Sequence, residues 1–187
     1  GEADDVAPAA NYRKSVRLTA RIPTILAHFD RVRNGLEPQH PLRDRSTAAN
    51  FLYMLHGKEP SEAAEKAFDA CLVLHAEHGL NASTFAGRVI GATLTDMYSA
   101  ISGAIGALKG PLHGGANIAV MEMLFAIDRS GAAPRQWVKE KLARKERIMG
   151  FGHRVYKTID PRATILKEMM DQMSASDGSR KWYDMSL

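Results

Sequence analysis

The sequence has one cysteine and no long apolar run, and each shortage excludes a class of protein. With Cys71 alone, neither an internal disulfide nor a thiolate-rich metal site can form, and a reducing compartment fits. The longest weakly polar run, from Met97 to Leu108, is too short to span a bilayer. No signal sequence is predicted either. We therefore expect a soluble, cytoplasmic protein with no membrane partner and no metal.

Acidic residues are fewer than basic ones, 21 against 25, which gives a formal net charge of +4. This balance favours an anionic partner, and both nucleic acid and a phosphorylated cofactor fit it. The basic run from Lys139 to Arg147 has no aromatic residue between its charges, whereas proteins that bind single-stranded nucleic acid stack bases on aromatic rings. No nucleic-acid partner is therefore predicted, and phosphate docking with help from Lys157 is preferred.

Strand patterns are also missing, so the predicted fold class is all-α. Apolar residues recur at helical spacing from Tyr12 to Asn34, where Pro23 should kink or divide the helix and Gly35 should end it. Residues 1–11 and 174–179 are predicted as loops. Further helices are expected at 47–55, from Ser61 through His75 and His78, from Ala82 through Gly103, through Val120 and Phe125, and at 136–147 and 162–173.

Small side chains recur every four residues in the long helix expected from Ala82. They are Ser83, Gly87, Gly91, Thr95, Ser99 and Gly103. Such a stripe allows another helix backbone to approach closely. Tight packing inside the chain and a subunit interface are both consistent with it.

Several histidines lie in or beside glycine-rich backbone. His113 precedes Gly114 and Gly115 at a predicted helix start, where unpaired N–H groups would keep a neighbouring imidazole neutral. His153 follows Gly150-Phe151-Gly152, a loop that lacks the strand–turn–helix context of a dinucleotide fingerprint. The sequence thus predicts a site for a polar anionic ligand, although a loop histidine that fills a turn is the alternative at His113.

Two further groups of residues are candidates for the ligand site. His75 and His78 continue the apolar stripe of their helix, so both are expected on its buried face. No third ligand at suitable spacing accompanies them, which disfavours a metal site. Arg162 follows Asp160-Pro161 and would suit a carboxylate held bidentately, although these residues also suit an ordinary helix start.

Three motifs together resemble those of citrate synthases. They are His75-Ala-Glu-His78 with Asn81-Ala-Ser, Gly110-Pro-Leu-His-Gly-Gly-Ala-Asn117, and Gly150-Phe-Gly-His153 through Asp160-Pro-Arg162. The resemblance extends from about Tyr12 to the end of the chain and is strongest to bacterial citrate and 2-methylcitrate synthases. It implies an all-α fold in which residues 1–114 belong to a large helical domain and residues 115–187 to a small CoA-binding domain.

The resemblance also implies partners and roles. A coenzyme A (CoA) thioester, acetyl-CoA or propionyl-CoA, would be the co-substrate of oxaloacetate, with no permanent cofactor, in a homodimer. His113 would stabilise the enol of the thioester, His153 would polarise the ketone of oxaloacetate, and His78 and Arg162 would hold its oxygens. The implied CoA contacts are Leu112, Ile148, Gly150, Phe151, Gly152 and Lys157.

Two departures from the family pattern affect the expected activity. The family's chains are considerably longer, and their catalytic aspartate would lie beyond Leu187. Ile118 also stands where the family usually has glutamate. We therefore expect this chain alone to be a poor or inactive catalyst, and a non-catalytic helical module that binds CoA or supports assembly is the alternative.

Overall fold

The computed structural model describes residues 1–77, 79–152, 157–177 and 180–187, with the backbone alone at 175–177. Every regular element in these ranges is a helix, so the all-α prediction is confirmed. The described helices are α1 (Pro8–Arg33), α2 (Thr47–His56), α3 (Glu62–Ala76), α4 (Ala82–Gly91), α5 (Met97–Leu108), α6 (Ala116–Ser130), α7 (Pro134–Ala143), α8 (Pro161–Asp177) and α9 (Arg180–Ser186).

The chain forms two compact units, Gly1–Gly103 and Ala104–Leu187. In the first unit α1 packs on α2, and α2 packs on α3. The buried side chains of this unit are small apart from one methionine and two cations, and its apolar members are Ala10, Ala27, Ala48, Ala49 and Met54. Alanine at these positions lets helices lie close together, which keeps the interior dense despite its small side chains.

The N-terminal segment of the first unit is anchored to α1. Lys14 is fully buried, and its ammonium donates hydrogen bonds to the carbonyl oxygens of Ala3 at 3.0 Å and Asp5 at 2.6 Å. A hydrogen bond from Arg13 is the largest of the effects that lower the pKa of Glu2. These contacts explain why α1 begins at Pro8, four residues before the predicted start, and leaves only a short loop ahead of it.

The second unit is built around α6 and α9. The rings of Phe125 and Trp182 meet edge to face with centroids 5.2 Å apart, and Lys181 pairs with Asp128 at 2.5 Å. α9 also packs on α8. The buried apolar residues here are Leu124, Ile127, Ile148 and Tyr183. The buried Ile148 therefore ties the segment after α7 to the interior of this unit.

Several helix ends agree with the sequence. The Ser61 hydroxyl accepts a hydrogen bond from the backbone N–H of Ala64 and caps α3, as hydroxyl residues do at helix starts. Gly35 and Gly57 follow α1 and α2 with φ of +71° and +72°, a conformation that glycine adopts without a Cβ penalty. Pro23 lies inside α1, which is not divided there.

The prediction of one long helix from Ala82 to Gly103 is wrong, because the structure has two helices there. α4 ends at Gly91, Leu94 has φ of +62°, and α5 starts at Met97. The carboxylate of Asp96 accepts hydrogen bonds from the Ser99 hydroxyl at 2.6 Å and the Ser99 N–H at 3.0 Å, so it caps a new helix. These two bonds lower the pKa of Asp96. The stripe of small residues is therefore split between two helices.

The ends of the later helices also differ from the prediction. α7 stops at Ala143 because Lys145, with φ of +59°, closes a Schellman motif. In this motif the Lys145 N–H bonds to the Leu142 oxygen at 2.9 Å and the Glu146 N–H bonds to the Lys141 oxygen at 2.9 Å. Farther along, α8 continues through 174–177, where a loop was predicted, and α9 was not predicted.

Candidate functional site

His113 lies in the tight turn that joins α5 to α6, as predicted. Its backbone N–H bonds to the Gly110 oxygen at 2.9 Å, and the Gly115 N–H bonds to the same oxygen at 3.1 Å. A Cβ atom at Gly114 would lie 2.5 Å from the Leu108 oxygen, and one at Gly115 would lie 3.0 Å from the Gly110 oxygen. The turn therefore needs glycine at both positions, and it holds a half-buried histidine directly before α6.

The segment from Ile148 to Gly152 forms a second glycine-dependent loop. Gly150 and Gly152 have φ of +86° and +83°, and a Cβ atom at Gly150 would lie 3.1 Å from Cγ2 of Val120 on α6. Ile148 is buried, whereas Phe151 is 77% exposed. The loop is thus fixed at one end by apolar packing, approaches α6 closely, and presents an aromatic ring.

These two segments line one cavity of about 580 Å³. Its lining residues are Pro111, Leu112, Ala116, Arg147, Ile148, Met149, Gly150, Phe151 and Gly152. Five of the six predicted CoA contacts belong to this set, and the sixth, Lys157, does not. The wall combines apolar side chains, open glycine backbone and one guanidinium, a composition that suits a flat, partly apolar group attached to an anion.

Sequence reasoning missed part of this lining. Arg147 was predicted only as one cation of the phosphate-docking run from Lys139, and Met149 was not among the individual CoA contacts predicted. A further cavity of about 540 Å³, which also touches Met149, Gly150 and Phe151, opens among α6, α7 and the end of α9. It was not predicted either. No short motif marks these positions, because they are brought together by the packing of separate helices.

Arg162 is held by Asp160 at the start of α8. The carboxylate accepts hydrogen bonds from the guanidinium Nη2 at 2.7 Å and Nε at 3.1 Å, and from the Arg162 backbone N–H at 2.9 Å. Both side chains are about one-quarter exposed, at 22% for the arginine and 27% for the aspartate. Arg162 thus belongs to a helix start, as one reading of the sequence predicts, and its guanidinium is paired with Asp160. Its binding of a ligand carboxylate stays a prediction.

His78 and His153 lie outside the described residues. His75 lies near the end of α3, where its Nδ1 donates to the Cys71 oxygen at 2.6 Å. The side chain is exposed, so its predicted place on a buried face is wrong. The apolar stripe of α3 becomes exposed to solvent toward this end of the helix, where Leu72 is 39% exposed. Partial burial raises the pKa of the Cys71 thiol.

No group of three or more His, Cys, Asp and Glu side chains in the part of the chain that the structure describes is arranged to hold a metal ion. Among the same residues, no helix combines the length and apolar character needed to cross a membrane.

Comparison with known proteins gives the family. Residues 2–187 match the family model described as "Citrate synthase, C-terminal domain". The chain belongs to the citrate synthase family. The resemblance noted in its histidine and glycine motifs is thereby confirmed.

Two individual relatives are consistent with this family. The chain is 56% identical over 187 residues to citrate synthase 2 of Bacillus subtilis, covering 100% of this chain and 50% of that protein. It is 47% identical over 182 residues to 2-methylcitrate synthase of Mycobacterium tuberculosis, covering 97% and 46%. The chain thus spans about half the length of these curated relatives.

A solved structure shares the fold. It is the citrate synthase of Thermoplasma acidophilum in a ternary complex with carboxymethyl coenzyme A and oxaloacetate. The TM-score is 0.78 at 37% identity, with 88% of this chain and 44% of that one covered. This citrate synthase therefore shares both sequence and helical architecture with the described chain.

Proposed function

We propose that the chain forms part of the active site of an enzyme that condenses acetyl-CoA with oxaloacetate to give citrate and CoA. The observation that carries this proposal is the cavity formed by the His113 turn and the 148–152 loop, which gathers five of the six residues assigned to CoA. Family membership supplies the reaction class.

The cavity takes the adenine end of CoA. Its apolar residues and glycine backbone contact the base, while Arg147 at its wall faces anionic phosphate groups. Phe151, with most of its ring exposed, is available for stacking. Lys157 contributes a cation to the phosphates from outside this lining. CoA is a co-substrate here, and no permanent cofactor is involved.

Chemistry takes place at the His113 turn. A base removes a proton from the methyl group of the thioester, and His113 donates a hydrogen bond to the developing enolate oxygen. The methylene carbon then attacks the ketone of oxaloacetate, whose oxygen is polarised and protonated by His153. Arg162 and His78 hold the oxygens of oxaloacetate. Water finally cleaves the citryl thioester, which releases citrate and CoA.

The base in this scheme is the family's catalytic aspartate, which we expect to follow Leu187 in the full-length enzyme. Asp171, Asp177 and Asp184 do not lie in the context of the family's catalytic aspartate. The 187-residue chain alone is therefore expected to bind CoA but to turn over poorly or not at all. Assaying thiol release from acetyl-CoA with oxaloacetate tests this. Rapid release by the chain alone would contradict it.

The second candidate activity is 2-methylcitrate synthesis from propionyl-CoA, which the 47% identical relative supports. The two thioesters differ by one methylene, and an apolar pocket discriminates such a pair by about 1–3 kcal/mol. The test compares kcat/KM for the two thioesters in a protein that contains this chain and its catalytic aspartate. A propionyl-CoA preference would replace the acetyl-CoA assignment.

Homodimeric assembly and a cytoplasmic location belong to the same proposal. Support for assembly comes from large apolar side chains on α1 that are more than half exposed, namely Tyr12, Val16, Ile25, Leu26, Phe29 and Val32. An unpaired cysteine fits a reducing compartment. Sedimentation equilibrium tests the first point, and a single monomeric species at high concentration would contradict it.

A further inference from the structure

We infer that Asp160 is a positioning residue that orients the guanidinium of Arg162 for the carboxylate of oxaloacetate. This inference rests on the proposed function, because that proposal makes Arg162 a ligand of oxaloacetate. The observation behind it is the set of bonds between the two side chains, of which the shortest joins Nη2 to the carboxylate at 2.7 Å.

The ion pair uses one defined edge of the guanidinium. The Nε atom lies 3.1 Å and 3.2 Å from the two carboxylate oxygens, and Nη2 completes the pair. Because the guanidinium is planar, a carboxylate on the Nε–Nη2 edge directs the Nη1 end away from Asp160. Asp160 thereby holds one edge of the fork in place before any substrate arrives.

Local backbone supports this arrangement. Pro161 separates the two residues and has a ring-restricted φ, and the Arg162 N–H is tied to the same carboxylate at 2.9 Å. With both side chains about one-quarter exposed, the pair is better shielded from solvent than a typical surface ion pair. A side chain that is already ordered loses less rotamer entropy when it binds an anion.

The contacts of Asp160 have a competing explanation, which is that its carboxylate only caps α8. The bond from the Arg162 N–H to Asp160 would cap α8 whether or not the guanidinium were held, and asparagine caps as well as aspartate. Asp160→Asn therefore separates the two explanations. The amide keeps one oxygen for the cap but replaces the other by an NH₂ donor, which repels the guanidinium N–H groups.

The test combines two readouts on the 187-residue chain. Oxaloacetate is titrated calorimetrically into wild type, D160N and R162K, and the Nε–Hε signal of Arg162 is followed by NMR, assigned through its loss in R162K. We expect D160N to weaken oxaloacetate binding about tenfold, because the Arg162 side chain must then be ordered as the substrate binds. Its Nε–Hε signal should shift and exchange faster with water, while the melting temperature stays close to wild type.

A matched control comes from the same helix. Asp171 also pairs with an arginine, Arg180, at 2.7 Å, so D171N removes an arginine-bound carboxylate and should leave oxaloacetate affinity unchanged. Wild-type affinity and an unshifted Nε–Hε signal in D160N would overturn the inference and leave only the cap. Failure of the wild-type chain to bind oxaloacetate would overturn the substrate role and count against the proposed function, whereas the NMR signal would report the pairing separately.

Discussion

At Gly114 and Gly115 the backbone passes so close to the end of α5 that no side chain fits. A Cβ atom at Gly115 would lie 2.9 Å from the Lys109 oxygen and 3.0 Å from the Gly110 oxygen. These contacts are with backbone, which cannot rotate away as a flexible side chain can. The turn that carries His113 therefore depends on a steric requirement at single residues.

Replacing Gly115 by alanine should destabilise the chain by about 1–3 kcal/mol, the usual effect of overpacking a tight site. The control is Gly106→Ala in the last turn of α5, at an exposed position where an added Cβ meets nothing within 4 Å. That change should stabilise by about 0.5–1 kcal/mol, because alanine is the better helix former. Urea unfolding of both variants measures the difference. Equal stabilities would refute the steric account.

At the scale of elements, helix boundaries that a residue type marks were easier to predict than boundaries that none marks. Ser61 and Gly57 signal a cap and a stop by residue type. Lys145 and Leu94 adopt positive φ although neither is glycine, so nothing in their residue type marks the ends that they form. α9 depends on the contact between Trp182 and Phe125, which a local pattern does not contain.

The break between α4 and α5 gives a pH-dependent prediction. Hydrogen bonds from the Ser99 hydroxyl and N–H lower the pKa of Asp96. A lowered pKa in the folded state means that the contribution to stability is present above the unfolded pKa, about 4, and is lost as pH falls through the folded pKa. We expect wild type to melt above D96N at neutral pH.

The same comparison separates the charge from the cap. Asparagine still caps α5 but does not titrate. The difference in melting temperature between wild type and D96N should therefore shrink from pH 5 to pH 2, while effects of other carboxylates cancel. A difference that stays constant over this range would contradict the account.

At the scale of the whole molecule, the family could be recognised from sequence motifs, whereas the cavity is formed by the packing of separate segments of the chain. The histidine and glycine motifs were sufficient to recognise the citrate synthase family, which the match over residues 2–187 confirms. Arg147 was predicted only as one cation of the basic run, because its place in the cavity depends on how α6 and the 148–152 loop pack. Asp160 was predicted only as part of a helix start. The roles predicted for His78 and His153, which lie outside the described residues, stay predictions.

The central claim is that the cavity beside the His113 turn binds CoA, and calorimetric titration of CoA into the 187-residue chain tests it most directly. Phe151→Ala removes an exposed ring from the cavity, whereas Phe29→Ala removes one of similar exposure, 65% against 77%, from α1. We predict saturable binding to wild type and to the Phe29 variant. The Phe151 variant should bind about tenfold more weakly, since stacking on an aromatic ring contributes about 1–3 kcal/mol per base. No binding to wild type, or equal affinity in both variants, would contradict the account.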